Sequence, residues 1–239
     1  MTDGLPVLTR FQRGLMSGVA GMAIGLAGMV SASAADLPKD LHFQVFMGEK
    51  DIGTHVIEFS EGDAEGTVNV DIDIDLAVKY AFITFFKYSH DNSEVWAGNE
   101  LLSLTSNTED DGRDFFVEAS RASDLLQVNG SRGAYETAQV LSSTSYWNLD
   151  ALLGAETLVN SQKGDLLDFT LEKLGSEEVT ARGETVMADK YFLDAKIDTT
   201  LWYSQETKEW VKMTFEARDR TFRYELIDPA AKVAAGEES

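Results

Sequence analysis

The sequence predicts a mainly β protein, an antiparallel curved sheet or open half-barrel with one short helix. Two observations carry this. Apolar and polar residues alternate with period two over many short segments, the signature of strands wet on one face. Turn signals rich in Gly, Asp, Glu and Asn recur every ten or so residues, the rhythm of an antiparallel meander. The helix is expected from Ser145 to Gly154 alone.

Leu41, Phe43, Val45 and Met47 alternate with His42, Gln44 and Phe46, and Gly48 to Asp51 then turns the chain into Ile52 to Ser60. This is a hairpin, with Gly53 opening its second strand. After the polar turn Glu61 to Gly66 comes the cleanest amphipathic strand, Thr67 to Val78. Val68, Val70, Ile72, Ile74 and Leu76 face one way, and Asn69, Asp71, Asp73 and Asp75 the other.

Tyr80 to Trp96 follows, and the chain is expected to be organised around it, because its first half is apolar at both parities. Tyr80, Phe82, Phe86 and Tyr88 fall on one face, and Ala81, Ile83 and Phe85 on the other. Such a run is expected to be covered on both sides. Leu101 to Thr108, Phe115 to Ser120 and Asp124 to Val128 complete the first series of strands. Asn129 to Ser145 interrupts the rhythm, and the helix follows with Ser145 as N-cap and Gly154 as stop. Strands resume at Leu166 to Leu174, Glu178 to Arg182, Thr185 to Ala195, Thr199 to Ser204, Trp210 to Arg218 and Thr221 to Ile227.

The first 35 residues read differently. Arg10 and Arg13 precede a charge-free run from Leu15 to Val30 that ends in Ser31-Ala32-Ser33-Ala34-Ala35. A basic start, a short apolar middle and small residues before a cut make a signal peptide cleaved near Ala34. The apolar run is shorter than the ~20 residues that span a bilayer, and no Cys follows it for a lipid anchor. The expected organisation is a signal peptide at 1–35, a single β domain at 36–228 and a flexible tail at 229–239. The expected location is the periplasm, or the exterior, with no transmembrane anchor in the mature chain.

The 239 residues carry a formal charge of −21. A chain this acidic repels phosphate backbones, so no nucleic acid is expected as a partner. Cys is absent, so the core alone must hold the fold. No phosphate loop or dinucleotide fingerprint occurs, and no cofactor is expected.

Two acidic stretches fall short of a calcium site. Asp71, Asp73 and Asp75 form one row that supplies too few converging oxygens, and Asn107 to Glu118 departs from the calcium-loop pattern at its first and ninth places, so no metal is expected. His42, His55 and His90 have no zinc-ligand spacing. His90, near Asp91 and Glu94, would serve as a general base if a carboxylate oriented it, but no nucleophile elbow accompanies it. The aromatic residues Tyr80, Phe82, Phe86, Tyr88 and Trp96, with Trp147, are the candidate ligand-binding set. They would line a concave site for an apolar or lipid-like molecule, or else fill the core.

The pattern resembles an uncharacterised family of exported bacterial proteins of the domain-of-unknown-function 6134 type. The resemblance rests on Gly53, Phe82 to His90 with Glu94-Val95-Trp96, the Glu109 to Gly112 turn, Tyr146-Trp147-Asn148, Asn160 to Leu167 and Leu201-Trp202-Tyr203-Ser204. It assigns no catalytic residues. A more distant likeness to periplasmic half-barrel lipoprotein carriers implies a sheet curled around a helix. The leading expectation is thus a non-enzymatic binding protein, the alternative an envelope protein-interaction module, and the third an envelope hydrolase using His90.

Overall fold

Thirteen strands hydrogen-bond into one sheet whose two ends do not meet, and the chain between its halves fills the concave side. The computed structural model describes residues 37–80, 83–139, 141–217 and 219–230. The signal peptide expected at 1–35 and most of the tail lie outside them. Among the described residues no helix is long and apolar enough to cross a membrane.

The first half of the sheet is a meander. It runs β1 (Leu41–Met47), β2 (Lys50–Glu61), β3 (Thr67–Tyr80), β4 (Ile83–Ala97), β5 (Glu100–Asp110), β6 (Arg113–Ala122), β7 (Leu125–Gly130) and β8 (Gly133–Thr137). The chain then leaves the sheet for β9 (Leu141–Ser143), helix α1 (Leu149–Gly154), β10 (Thr157–Val159) and β11 (Leu166–Leu167). It returns through β12 (Thr170–Ala181), β13 (Glu184–Asp194), β14 (Thr199–Ser204), β15 (Trp210–Ala217) and β16 (Arg220–Leu226).

The two meanders join where β16 pairs antiparallel with β1, Phe43 opposite Leu226. The sheet order is therefore β12 to β16, then β1 to β8, with β12 and β8 as open edges. The expected open, curved antiparallel sheet with a short helix is what the chain forms.

The inner face of the sheet buries Phe43, Ile57, Val70, Ile72, Leu104, Val117, Leu126, Leu193, Leu201, Trp210 and Tyr224. The expected alternation of β3 holds: Val70, Ile72 and Leu76 are buried while Asp71, Asp73 and Asp75 are exposed. Against the inner face sits the segment β9–α1–β10–β11, in which β9 and β10 pair parallel. Its Leu149, Leu152, Leu158 and Val159 join the core. Burying these apolar side chains stabilises the fold by roughly 1.5–3 kcal/mol each.

Four sequence expectations need correction. The strands expected at Leu166 to Leu174 and Glu178 to Arg182 are a two-residue β11 and one long β12 that spans the supposed gap. Tyr80 to Trp96 is not one strand: Tyr80 ends β3 and pairs with Ile83 of β4, so the chain reverses between them. Its apolar residues at both parities belong partly to this hairpin end, where Phe85 is 61% exposed. The helix begins at Leu149, capped by Asn148, whose Oδ1 accepts from the Ala151 N–H at 3.0 Å; Ser145 is used elsewhere. Between Asn129 and Ser145 the chain is not irregular, since β7 ends there and β8 and β9 follow.

Gly53 shows how local backbone sets the interior. It sits at a bulge where the β1 register skips from Gly53 to Asp51, with φ of 142°. A bulge places two residues opposite one and shifts the side-chain parity beyond it. Ile52 points inward before the bulge, and His55, Ile57 and Phe59 follow inward after it. A Cβ at Gly53 would lie 1.9 Å from the Asp75 carbonyl oxygen.

Gly53→Ala therefore combines a forbidden backbone angle with a backbone clash and is expected to destabilise the protein by about 3 kcal/mol or more. Urea unfolding of the two proteins measures this. A loss below about 1 kcal/mol would show that the bulge does not fix β2.

Candidate functional site

The inner face of β4 is where the interior departs from an ordinary core. Its inward side chains run Tyr88, His90, Asn92, Glu94, Trp96, and the middle three are polar yet 3%, 3% and 1% exposed. Buried polar groups are tolerated only when partnered. The partners come largely from the inserted segment and from the next strand.

Glu94 is the best satisfied. Its carboxylate accepts from Asn92 Nδ2 at 2.9 Å, from Trp96 Nε1 at 2.7 Å and from Ser145 Oγ at 3.1 Å. Ser145 Oγ also lies 2.5 Å from Ser143 Oγ, which ties β9 into the same cluster. Burial raises the Glu94 pKa, while its donors Asn92, Trp96, Ser143 and Ser145 pull the other way. This explains why Ser145 does not cap the helix.

His90 is held through both ring nitrogens. Nδ1 is 2.7 Å from Thr108 Oγ1 on β5, and Nε2 is 3.4 Å from Ser161 Oγ, just beyond β10. Ser161 is fixed in turn by Thr144 Oγ1 at 2.9 Å, and its carbonyl accepts from Ser106 Oγ. Burial lowers His90 to about 4, against the opposing pull of Asp91. A histidine so weakly basic, oriented by a hydroxyl in place of a carboxylate, is poorly suited to deprotonate Ser161.

His55 has no hydrogen-bond partner on either nitrogen. It packs among Phe43, Trp210 and Tyr224, with ring centroids 5.9, 5.6 and 5.7 Å away. Burial in this aromatic surround lowers it to about 3, with His90 adding to the shift. Asn92 Oδ1 is the other orphaned atom on the inner face of the sheet.

These groups border two separate cavities. A polar cavity of about 230 Å³ is bounded by His55, Tyr88, His90 and Asn92 from the sheet and by Ser161 and Lys163 from the inserted segment. A larger one of about 500 Å³ lies beside α1, lined by Leu41, Phe59, Val68, Trp96, Trp147 and Leu149. In the second, the Trp147 ring meets Phe59 at 5.1 Å and Trp96 at 5.6 Å, both edge-on.

Tyr146 separates the two. Its backbone is left-handed, φ 58°, and its carbonyl accepts from the Tyr203 hydroxyl at 2.7 Å. A left-handed residue with a side chain costs about 1 kcal/mol. Here it sends Tyr146 to the polar cavity and Trp147 to the apolar one.

The aromatic residues named from the sequence are thus divided. Trp96 and Trp147 meet in the apolar cavity, Tyr88 borders the polar one, and Phe86 is half-buried against the core. Phe82 lies outside the described residues, and Tyr80 is described only as the final backbone position of β3. Sequence reasoning named Glu94 as a neighbour of His90, His55 as a histidine without zinc spacing and Ser145 as a helix cap, and missed Asn92 and Ser161. The available signal was parity, since His90, Asn92 and Glu94 share it with Tyr88 and Trp96. Among the described residues no group of three or more metal-ligating side chains converges.

An open antiparallel sheet wrapped around its own inserted segment defines a β-barrel-like protein, and comparison with solved structures agrees. The crystal structure of a β-barrel-like protein of the domain-of-unknown-function family DUF1849, from Brucella abortus, superposes with a TM-score of 0.57 at 12% identity, covering 80% of this chain and 96% of that one. At that identity the likeness concerns the fold. The chain itself belongs to the family described as domain of unknown function DUF6134, whose profile matches residues 43–227. No curated protein matches it.

The buried histidines give the fold a pH dependence. Both have folded pKa values below the ordinary 6.5, so the unfolded chain binds their protons more readily. Stability from this source is fully present above about pH 6.5 and is lost as pH falls toward 4 and 3. Glu94, raised by burial, acts oppositely and recovers part of the loss as it protonates. At pH 4.5 each histidine is expected to cost on the order of 2 kcal/mol. Urea unfolding from pH 7.5 to 4.5 tests this: His55→Gln with His90→Gln should flatten the slope, and an unchanged slope would refute it.

Proposed function

We propose that this protein is a non-enzymatic binding protein of the periplasm that holds an apolar or amphipathic ligand in the cavity beside α1. The observation that carries the reading is the character of that cavity. It offers about 500 Å³ lined by Leu41, Phe59, Val68, Trp96, Trp147 and Leu149. Binding sites for small molecules are typically concave and apolar, with a few polar groups that orient the ligand.

Here the orienting group is Trp147 Nε1, which is buried and has no acceptor. A ligand with an apolar body and one acceptor atom satisfies both features, because an unmet buried donor costs about 1–3 kcal/mol. Lys39 and Lys208 border the same cavity and are exposed; Lys208 is paired with Asp150 at 2.8 Å, so Lys39 is the cation offered to an acidic headgroup there. The signal-peptide pattern at the N-terminus supports a cell-envelope location.

A second reading, an envelope protein-interaction module, draws on the open edges. Strand β12 is exposed over most of its length, and an unpaired edge offers backbone groups to a partner strand.

Native mass spectrometry of the purified protein, followed by organic extraction, should release a bound apolar or lipid-like molecule. The neutral fluorophore N-phenyl-1-naphthylamine should bind the emptied protein and quench Trp emission. Val68→Trp, which fills the cavity from β3, should weaken this binding at least tenfold while leaving the thermal midpoint within a few degrees. Equal affinity in the variant would reject the cavity as the site.

A further inference from the structure

The polar cavity is set apart from the apolar one by what it leaves unsatisfied. Three buried polar atoms border it without partners: both ring nitrogens of His55 and Oδ1 of Asn92. These residues are 4% and 3% exposed and sit on β2 and β4, on either side of Ile74 of β3, which pairs with both His55 and His90. Each orphaned group forfeits the hydrogen bond it had to water in the unfolded chain. In a cavity of about 230 Å³ there is room for a molecule of roughly seven to ten non-hydrogen atoms.

The chemistry of the lining is specific. A neutral imidazole presents one donor and one acceptor, and an amide oxygen presents an acceptor. The complementary groups are hydroxyls, which donate and accept at once. Ser161, Thr144, Asn160 and Gln162 add further polar lining from the inserted segment.

The rest of the wall is apolar, from Ile72, Ile74, Leu167 and Ile197, except for two lysines on one side. Lys163 is half-buried and Lys196 exposed at the rim. Lys163 lies close enough to Lys196, Arg132 and Arg113 for their charges to act on it, with Asp110 opposing them. Lys196 is 3.8 Å from Asp165, and Arg113 is 3.1 Å from Asp110. In a chain of charge −21 this concentration of cations is local; Lys163, whose Nζ lies 4.5 Å from the Phe115 ring centroid, and Lys196 are the two of them that border the cavity.

We infer that the polar cavity is a second binding site, for a small hydroxylated anion the size of a three- or four-carbon sugar acid or its phosphate, with hydroxyls on His55 and Asn92 and the anionic end on Lys163 and Lys196. This goes beyond the apolar site, with which it shares no lining residue. The two sites are separately testable.

Glycerate and glycerol 3-phosphate are the probes, with glycerol as the uncharged control. Titrated into the purified protein labelled with ¹⁵N at histidine, at least one of the two anions should shift the His55 imidazole resonances saturably. Glycerol should bind at least tenfold more weakly. Lys163→Gln with Lys196→Gln should weaken the anion at least tenfold without moving the thermal midpoint by more than a few degrees, and Lys196→Gln alone, at an exposed position, should weaken it by a smaller factor.

Whether the carboxylate or the phosphate binds more tightly identifies the acid. If neither anion moves His55 at millimolar concentration, the cavity holds water only and the inference fails. It fails equally if glycerol matches the anions, or if the double variant binds them unchanged.

Discussion

A carboxylate sealed away from water must be met by donors, and Glu94 is the point at which the sheet and the inserted segment meet that demand together. Asn92 and Trp96 answer from the same strand, Ser145 from the segment that follows β9. Removing one partner of a buried charged group costs far more than the bond is worth in water, because the remainder stays desolvated. The cluster therefore fixes where β9 and the start of α1 rest against β4. From that anchor the apolar cavity opens on the Trp96 side, and the polar cavity on the His90 and Asn92 side.

The rest of the interior follows from how the segment is pinned. Tyr203 holds the Tyr146 carbonyl, Tyr135 donates to the Gly164 carbonyl at 2.7 Å, and Asn148 reaches the Gly98 carbonyl at 3.2 Å. Gly130 lets the segment approach so closely that a Cβ there would lie 2.7 Å from the Lys163 carbonyl oxygen. These contacts come from β14, β8, the β4–β5 turn and β7. An unclosed sheet is thus given a defined curvature by hydrogen bonds to what it encloses, where a barrel would use its own closing seam.

Much of the sheet was legible in the sequence because period-two alternation is a direct image of one wet and one dry face. The row Asp71, Asp73, Asp75 opposite Val70, Ile72, Leu76 is the clearest case. The inserted strands were not legible, since β9, β10 and β11 have two or three residues each and no period can develop over that length. The site was hidden for a different reason. Polar residues at inward parity, such as His90 and Glu94, look like interruptions of a strand until the hydroxyls that partner them are known, and Ser145 and Ser161 lie some fifty residues or more away in sequence. The bulge at Gly53 also changes the parity of His55, which alternation counted from Ile52 would place outside.

The pairing of β1 with β16 has a consequence for the order of folding. Phe43 waits for Leu226, so the first strand has an unmet edge until the last has been made, whichever hairpins form earlier. Local meanders such as β2 to β5 can assemble quickly, because their partners are near in sequence. Joining the two halves requires closing a loop of nearly the whole domain, and its contact order is correspondingly high. The late seam is also where Phe43, Trp210 and Tyr224 gather around His55. The aromatic surround of that histidine is consequently among the last parts of the protein to be assembled.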